Sequence, residues 1–211
     1  MALQALFADL HPDWLAGSAG DGLDRELAAA APASALGRRL LLRGFPAEIM
    51  DGLFAPAPGA GVAAGMRRRW PRARLQALVR DLGVLAYAPL IRAEVRREPV
   101  RWLRRSLGNS YLLALDRSIW DGHVDPGVHA RLSSHWEALL ADPRFLSDQA
   151  LLDGVLDRQG RGELLAWAQR RNRPLADWTR LLHAPEDAAP AHLPEKALLV
   201  VVSHHEGRDG D

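Results

Sequence analysis

A mainly α-helical fold is predicted for this chain of 211 residues, and three observations predict it. The composition leans on Leu, Ala and Arg, which favour helices, while β-branched and aromatic residues are sparse. From residue 75 onward, leucines recur at helical spacing. Prolines and capping residues then punctuate that pattern at intervals suited to short helices. With apolar residues at 48% the chain can build a real core. The expected architecture is an irregular single-domain multi-helix bundle with a candidate short strand near the C-terminus.

Residues 1–66 read as an irregular N-terminal segment, because Pro12, Pro32, Pro46, Pro56 and Pro58 with Gly17, Gly20, Gly22, Gly59, Gly61 and Gly65 keep interrupting helical runs. Short helices are expected over 24–31 and 36–42, and 55–65 reads as a linker or loop. A helical core follows over 67–196. Leu75, Leu78, Val79, Leu82 and Leu85 define its clearest helix, with Pro71 in the first turn and Pro89 ending the run near Tyr87. Pro89 restarts a helix through Arg97, and Pro99 another through Leu107, broken by Gly108 and Asn109. Ser110 is expected to cap a helix with Leu112, Leu115 and Ile119 on one side. Asp125 before Pro126 opens the next, with Val128, Leu132, Trp136 and Leu139 as its stripe. Ser147 opens another that turns Leu151, Leu152, Val155 and Leu156 inward, and 162–172 and 174–183 are expected as two further short helices. The final part, 197–211, combines the strand candidate over 196–202 with a frayed polar tail.

There is no cysteine, so disulfides and thiolate metal sites are excluded. A charged leader followed by an apolar stretch is missing from residues 1–10, and the apolar run 197–202 is too short to span a bilayer. A soluble, cytoplasmic protein is the expectation. Net charge is +1, but residues 67–105 hold twelve arginines against three acidic residues, a local +9 that leaves the remainder near −8. Such asymmetry points to an anionic partner for this stretch.

No catalytic, cofactor or metal site is expected. Gly59, Gly61 and Gly65 superficially resemble a dinucleotide loop but lack a preceding strand and the right spacing. The single lysine, Lys196, lies in an apolar segment and belongs to no phosphate loop. His123, His129 and His135, six apart, fall on separated helix faces, and His204, His205 and Glu206 read as exposed residues of a terminus. Asp153 and Asp157 share a helix face that is expected to be solvated, and Ser18 misses the nucleophile-elbow spacing.

Seven tryptophans are available. Trp102, Trp120, Trp136, Trp167 and Trp178 fall in or at the end of expected helices and belong to the core, whereas Trp14 and Trp70 are the candidates for anchoring a protein partner. Beside them Arg67, Arg68, Arg69 and Arg72 are the partner-binding candidates. Arg92, Arg96, Arg97, Arg101, Arg104 and Arg105 are first expected to form solvated helix faces paired with acidic parts of the same protein; docking to an acidic protein surface is the preferred specific reading, and nucleic-acid binding by a regulatory protein is the alternative.

The central block carries a family resemblance. Leu75-Gln76-Ala77-Leu78-Val79-Arg80-Asp81-Leu82-Gly83-Val84-Leu85-Ala86-Tyr87, followed by Pro89-Leu90-Ile91-Arg92 and Leu112-Leu113-Ala114-Leu115-Asp116-Arg117, resembles the middle of the SctK family of type III secretion accessory proteins. His11-Pro12-Asp13-Trp14-Leu15 is similar to the opening of such proteins. The resemblance implies a cytoplasmic, non-enzymatic component of the sorting platform, recruited to the cytoplasmic face of the inner membrane. There it would bridge the ring protein SctD to the pod protein SctQ, which links in turn to the stator and the export ATPase.

Overall fold

The computed structural model describes residues 9–14, 25–45, 47, 70–186 and 188–207. Ten α-helices and no strand occur among them: α1 Arg25–Ala30, α2 Ala35–Gly44, α3 Arg72–Ala86, α4 Ala88–Ala93, α5 Arg97–Leu107, α6 Ser110–Leu115, α7 Pro126–Ala141, α8 Gln149–Arg171, α9 Arg173–Leu182 and α10 Glu195–Gly207. They fall into two compact units that interleave along the chain, Met1–Arg72 with Ala168–Asp187, and Ala73–Trp167 with Ala188–Asp211. The stretch expected as one helical core is therefore shared between two units.

In the first unit, α9 is the organising element. Asn172 caps it by accepting from the Leu175 amide at 3.1 Å, with proline in the first turn, and Leu175, Ala176, Trp178, Leu181 and Leu182 are buried. Its last carbonyls are covered by the segment at residues 9–14. The His11 amide donates to Leu181 O at 2.9 Å, and the Trp14 indole donates to Arg180 O at 3.1 Å and His183 O at 2.8 Å. These bonds satisfy acceptors that a helix C-terminus otherwise leaves orphaned. On the other side, Trp178 Nε1 donates to Trp70 O at 3.2 Å.

The second unit is built on a close crossing of α3 and α8. Leu75, Leu78, Val79 and Leu82 of α3 and Leu152, Leu156 and Leu164 of α8 are buried. A Cβ on Gly83 would lie 2.0 Å from Leu156 O, and one on Gly160 would lie 1.8 Å from Val79 O. Glycine at these two positions lets the helix backbones touch. The expected break before residue 162 is corrected: α8 runs unbroken for 23 residues, and Gly160 serves the crossing instead of ending a helix. Asp125 caps α7 as expected, accepting from the Gly127 amide at 2.8 Å, and Leu132, Trp136 and Leu139 are buried.

Two further expectations are corrected. Residues 196–202 are helical within α10, and Ala197, Leu198, Val201, Val202 and His205 are its buried residues. Positions recurring after one, four, five and eight residues trace one helix face, so tertiary burial overrides the β preference of the valines. In α6 the buried residues are Tyr111 and Ala114, while Leu112 is 65% and Leu115 43% exposed. The leucine stripe thus lies on the outside of that short helix. No helix among the described residues is long and apolar enough to cross a membrane.

Candidate functional site

The basic stretch separates into two populations of arginine. In the second unit, Arg80 sits between two carboxylates of α8, with Nε 2.5 Å and Nη2 2.8 Å from Asp157 and Nη1 against Asp153. Gln76 adds a bond to Asp157 at 2.7 Å. Burial opposes the charge on Arg80, but the hydrogen bonds and charges of Asp157 and Asp153 outweigh it and raise the guanidinium pKa. Burial also pushes the Asp153 carboxyl up against the pull of Arg80. The pair expected on a solvated face is therefore a half-buried clamp between helices.

Arg92 performs the same kind of task on a loop. Its guanidinium donates to Ala114 O at 2.6 Å, Trp120 O at 2.9 Å and Asp121 O at 2.9 Å, with Asp116 O at 3.4 Å. Burial, followed by the charge of Arg117, lowers its pKa. Arg74 donates to His205 O. Arg96 clasps Glu94, Nε to Oε1 at 2.9 Å, and so sets the turn from α4 into α5.

The second population lies on α5. At 100° per residue, Arg97, Glu98, Arg101, Arg104 and Arg105 occupy a sector of roughly 120°, and all are exposed. Trp102, Leu103 and Leu107 occupy the opposite side and are buried, Trp102 packing on Phe145 with ring centroids 4.3 Å apart. Gly108 ends the helix at φ 52° while its amide donates to Arg104 O at 3.1 Å, a left-handed stop that glycine adopts without a Cβ clash. Among the described residues Arg97, Arg104 and Arg105 make no ion pair, and Arg101 has only Glu98, 3.7 Å away with both side chains well exposed. Such a contact contributes little. Among the described residues the outer face of α5 is thus an array of exposed guanidinium groups on a helix with a packed back.

The residues singled out in the sequence fare differently. Arg67, Arg68 and Arg69 lie outside the described residues, as do Gly59, Gly61, Gly65 and Ser18. Arg72 is exposed at the start of α3. Trp70 is only 3% exposed, so its ring is buried instead of offering itself to a partner. Trp14 is half-buried, its indole N–H engaged on the end of α9.

Buried polar groups that sequence reasoning missed belong to the scaffold. Glu163 accepts from the amides of His192 and Leu193, each at 3.0 Å, and from Gln159 Nε2 at 2.8 Å, and its Oε1 lies 2.9 Å from His192 Nδ1. These donors fill the acceptor capacity of one carboxylate, and they fasten the connection ahead of α10. His205, expected in an exposed tail, is 2% exposed and lies 2.9 Å from Asp81, which also accepts from Ser110 Oγ. Here the carboxylate stands between hydroxyl and imidazole. Activating a serine requires the imidazole in that place, so the trio reads as a tie between helices. Among the described residues no group of three His, Asp or Glu side chains is placed to hold a metal ion. Only their packing environment could have revealed these groups, because no spacing in the sequence marks Glu163 or His192.

The described residues form a mainly helical protein in which four exposed arginines share one face of α5. Comparison with protein-family models, characterised proteins and solved structures returns no match to this chain.

Proposed function

We propose that the chain is a non-enzymatic adaptor of the type III secretion sorting platform, working in the cytoplasm at the inner membrane and linking SctD to SctQ. The observation that carries the adaptor reading is the α5 face. Arg74, Arg80, Arg92 and Arg96 are engaged within the protein, while Arg97, Arg101, Arg104 and Arg105 are held outward on a helix with a packed back. A fixed array of charge suits recognition of an oppositely charged surface. The choice of assembly rests on the resemblance of α3, α4 and α6 to the middle of the SctK family. In that role the binding energy holds one partner at a set position relative to another, and release lets subunits exchange.

The test is co-purification of the full chain with SctQ and with the soluble domain of SctD from the same genome, with complex masses from light scattering. A defined complex with either is expected. Capture of neither, with nucleic acid retained through a salt wash, would overturn the platform reading in favour of a nucleic-acid-binding regulator.

A further inference from the structure

We infer that the outer face of α5 docks an acidic amphipathic helix of a partner protein, laid along Arg97, Arg101 and Arg104 with Val95 at one end. This rests on the adaptor reading and adds the chemical class of the partner segment and its binding site.

Spacing and charge carry the argument. At 1.5 Å per residue the three arginines stand about 6 Å and 4.5 Å apart along the axis. Carboxylates at i, i+4 and i+7 of a second helix repeat with the same rise, so each meets a guanidinium in one register. Glu98 lies inside the same sector, 3.7 Å from Arg101 and 69% exposed. A uniformly anionic polymer meets repulsion there, whereas a helix places one basic or neutral side chain opposite it. Val95, in the turn ahead of α5, is 86% exposed, the most exposed large apolar side chain among the described residues. An apolar residue flanking the acidic ones would cover it, giving the dry contact that charge pairs at a rim do not supply. The platform is also pre-ordered: Trp102 against Phe145, Gln149 Nε2 donating to Ser106 O at 3.3 Å and the Gly108 stop hold α5 in place, which limits the ordering that binding demands.

The full chain, labelled with nitrogen-15, is titrated with a synthetic helical peptide bearing Glu at i, i+4 and i+7 beside leucine. Three comparisons run alongside: a peptide of identical composition with its glutamates spread around the helix, double-stranded DNA, and the Arg101→Glu/Arg104→Glu variant. The expected result is amide shifts confined to α5 and Val95, binding weakened about tenfold or more in the variant and falling with salt, and much weaker binding of the dispersed peptide. Equal binding of the dispersed peptide, tighter binding of DNA at α5, or shifts elsewhere would overturn the inference. Both substituted residues are exposed, and an unchanged circular dichroism melting curve verifies the fold; Arg101→Gln/Arg104→Gln serves if it does not. The two readings fail separately. If the wild-type chain captures SctD or SctQ and the variant captures it equally, the docking inference falls alone. If the wild-type chain captures neither, the platform reading falls, and the peptide titration still decides the role of α5.

Discussion

Arg80 and Arg104 come from the same basic stretch of sequence, yet they occupy opposite situations. Arg80 lies between Asp153 and Asp157 with 22% of its side chain exposed, whereas Arg104 points outward from α5 with no ion pair among the described residues. The contrast extends to their helices. On α3, Leu75, Leu78 and Leu82 are buried and so is Gly83, so the helix is covered on several sides, and Arg80 is met there by two carboxylates. On α5 the buried set is Trp102, Leu103 and Leu107 alone, and Arg97, Glu98, Arg101, Arg104 and Arg105 are exposed. Local charge density is thus a poor guide to a binding face. What decides is whether carboxylates or backbone carbonyls of the same protein reach the arginines first.

The contrast is sharpened most by removing Arg80. Arg80→Ala leaves Asp153 and Asp157 facing each other half-buried, and a loss of about 2 kcal/mol in unfolding free energy is expected, read from urea denaturation, with partial recovery on adding Asp153→Asn. An undiminished midpoint would show that the clamp contributes nothing and would erase the distinction between the two populations. By contrast, Arg104→Ala is expected to shift stability by less than about 0.5 kcal/mol, measured in the same assay; a larger loss would mean that α5 is buried against something within the chain. The smallest effect concerns acid. Hydrogen bonds from Arg96 hold the Glu94 carboxyl below its ordinary value of 4.5. Because the folded-state pKa is the lower one, the stability it lends is fully present above that ordinary value and is lost as pH falls through the folded value. Glu94→Gln should therefore flatten the acid limb of the stability profile slightly, as followed by thermal melts at stepped pH.

Local signals were read correctly where they arise from neighbours in the chain. Asp125 with Pro126 starts α7, Pro89 separates α3 from α4, and Gly108 stops α5, each through a backbone preference that needs no tertiary partner. The misreadings share the opposite property. Gly160 and Gly162 look like breakers until the atoms facing them are known: Val79 O and Ala189 O leave no room for a Cβ. The valines of α10 favour a strand until the positions of Val201 and Val202 against the core fix a helix. Likewise α6 is too short for its leucine spacing to announce which side is buried.

The candidate site was legible in part. The sequence marks residues 67–105 as basic and places arginines on α5, but it weights Arg67, Arg68, Arg69 and Arg72 above them because they cluster most tightly. It also offers Trp70 as an anchor, a ring that is buried. No pattern in the chain distinguishes Arg92, bound to carbonyls of residues 114–121, from Arg101, which faces water.

By itself, then, the sequence determined that the protein is mainly helical, where most helices begin and end, and that its positive charge is concentrated in one stretch, since composition, capping and spacing act over a few residues. Tertiary structure alone decided which glycines are crossings, which acids neutralise which arginines, and which guanidinium groups remain on the surface. Several of those outcomes depend on distant partners, such as Asp157 for Arg80, 77 positions away, Gln159 for Arg131, 28 away, and His205 for Arg74, 131 away, and chain-distant pairing is set by packing rather than by the local preferences of the residues involved.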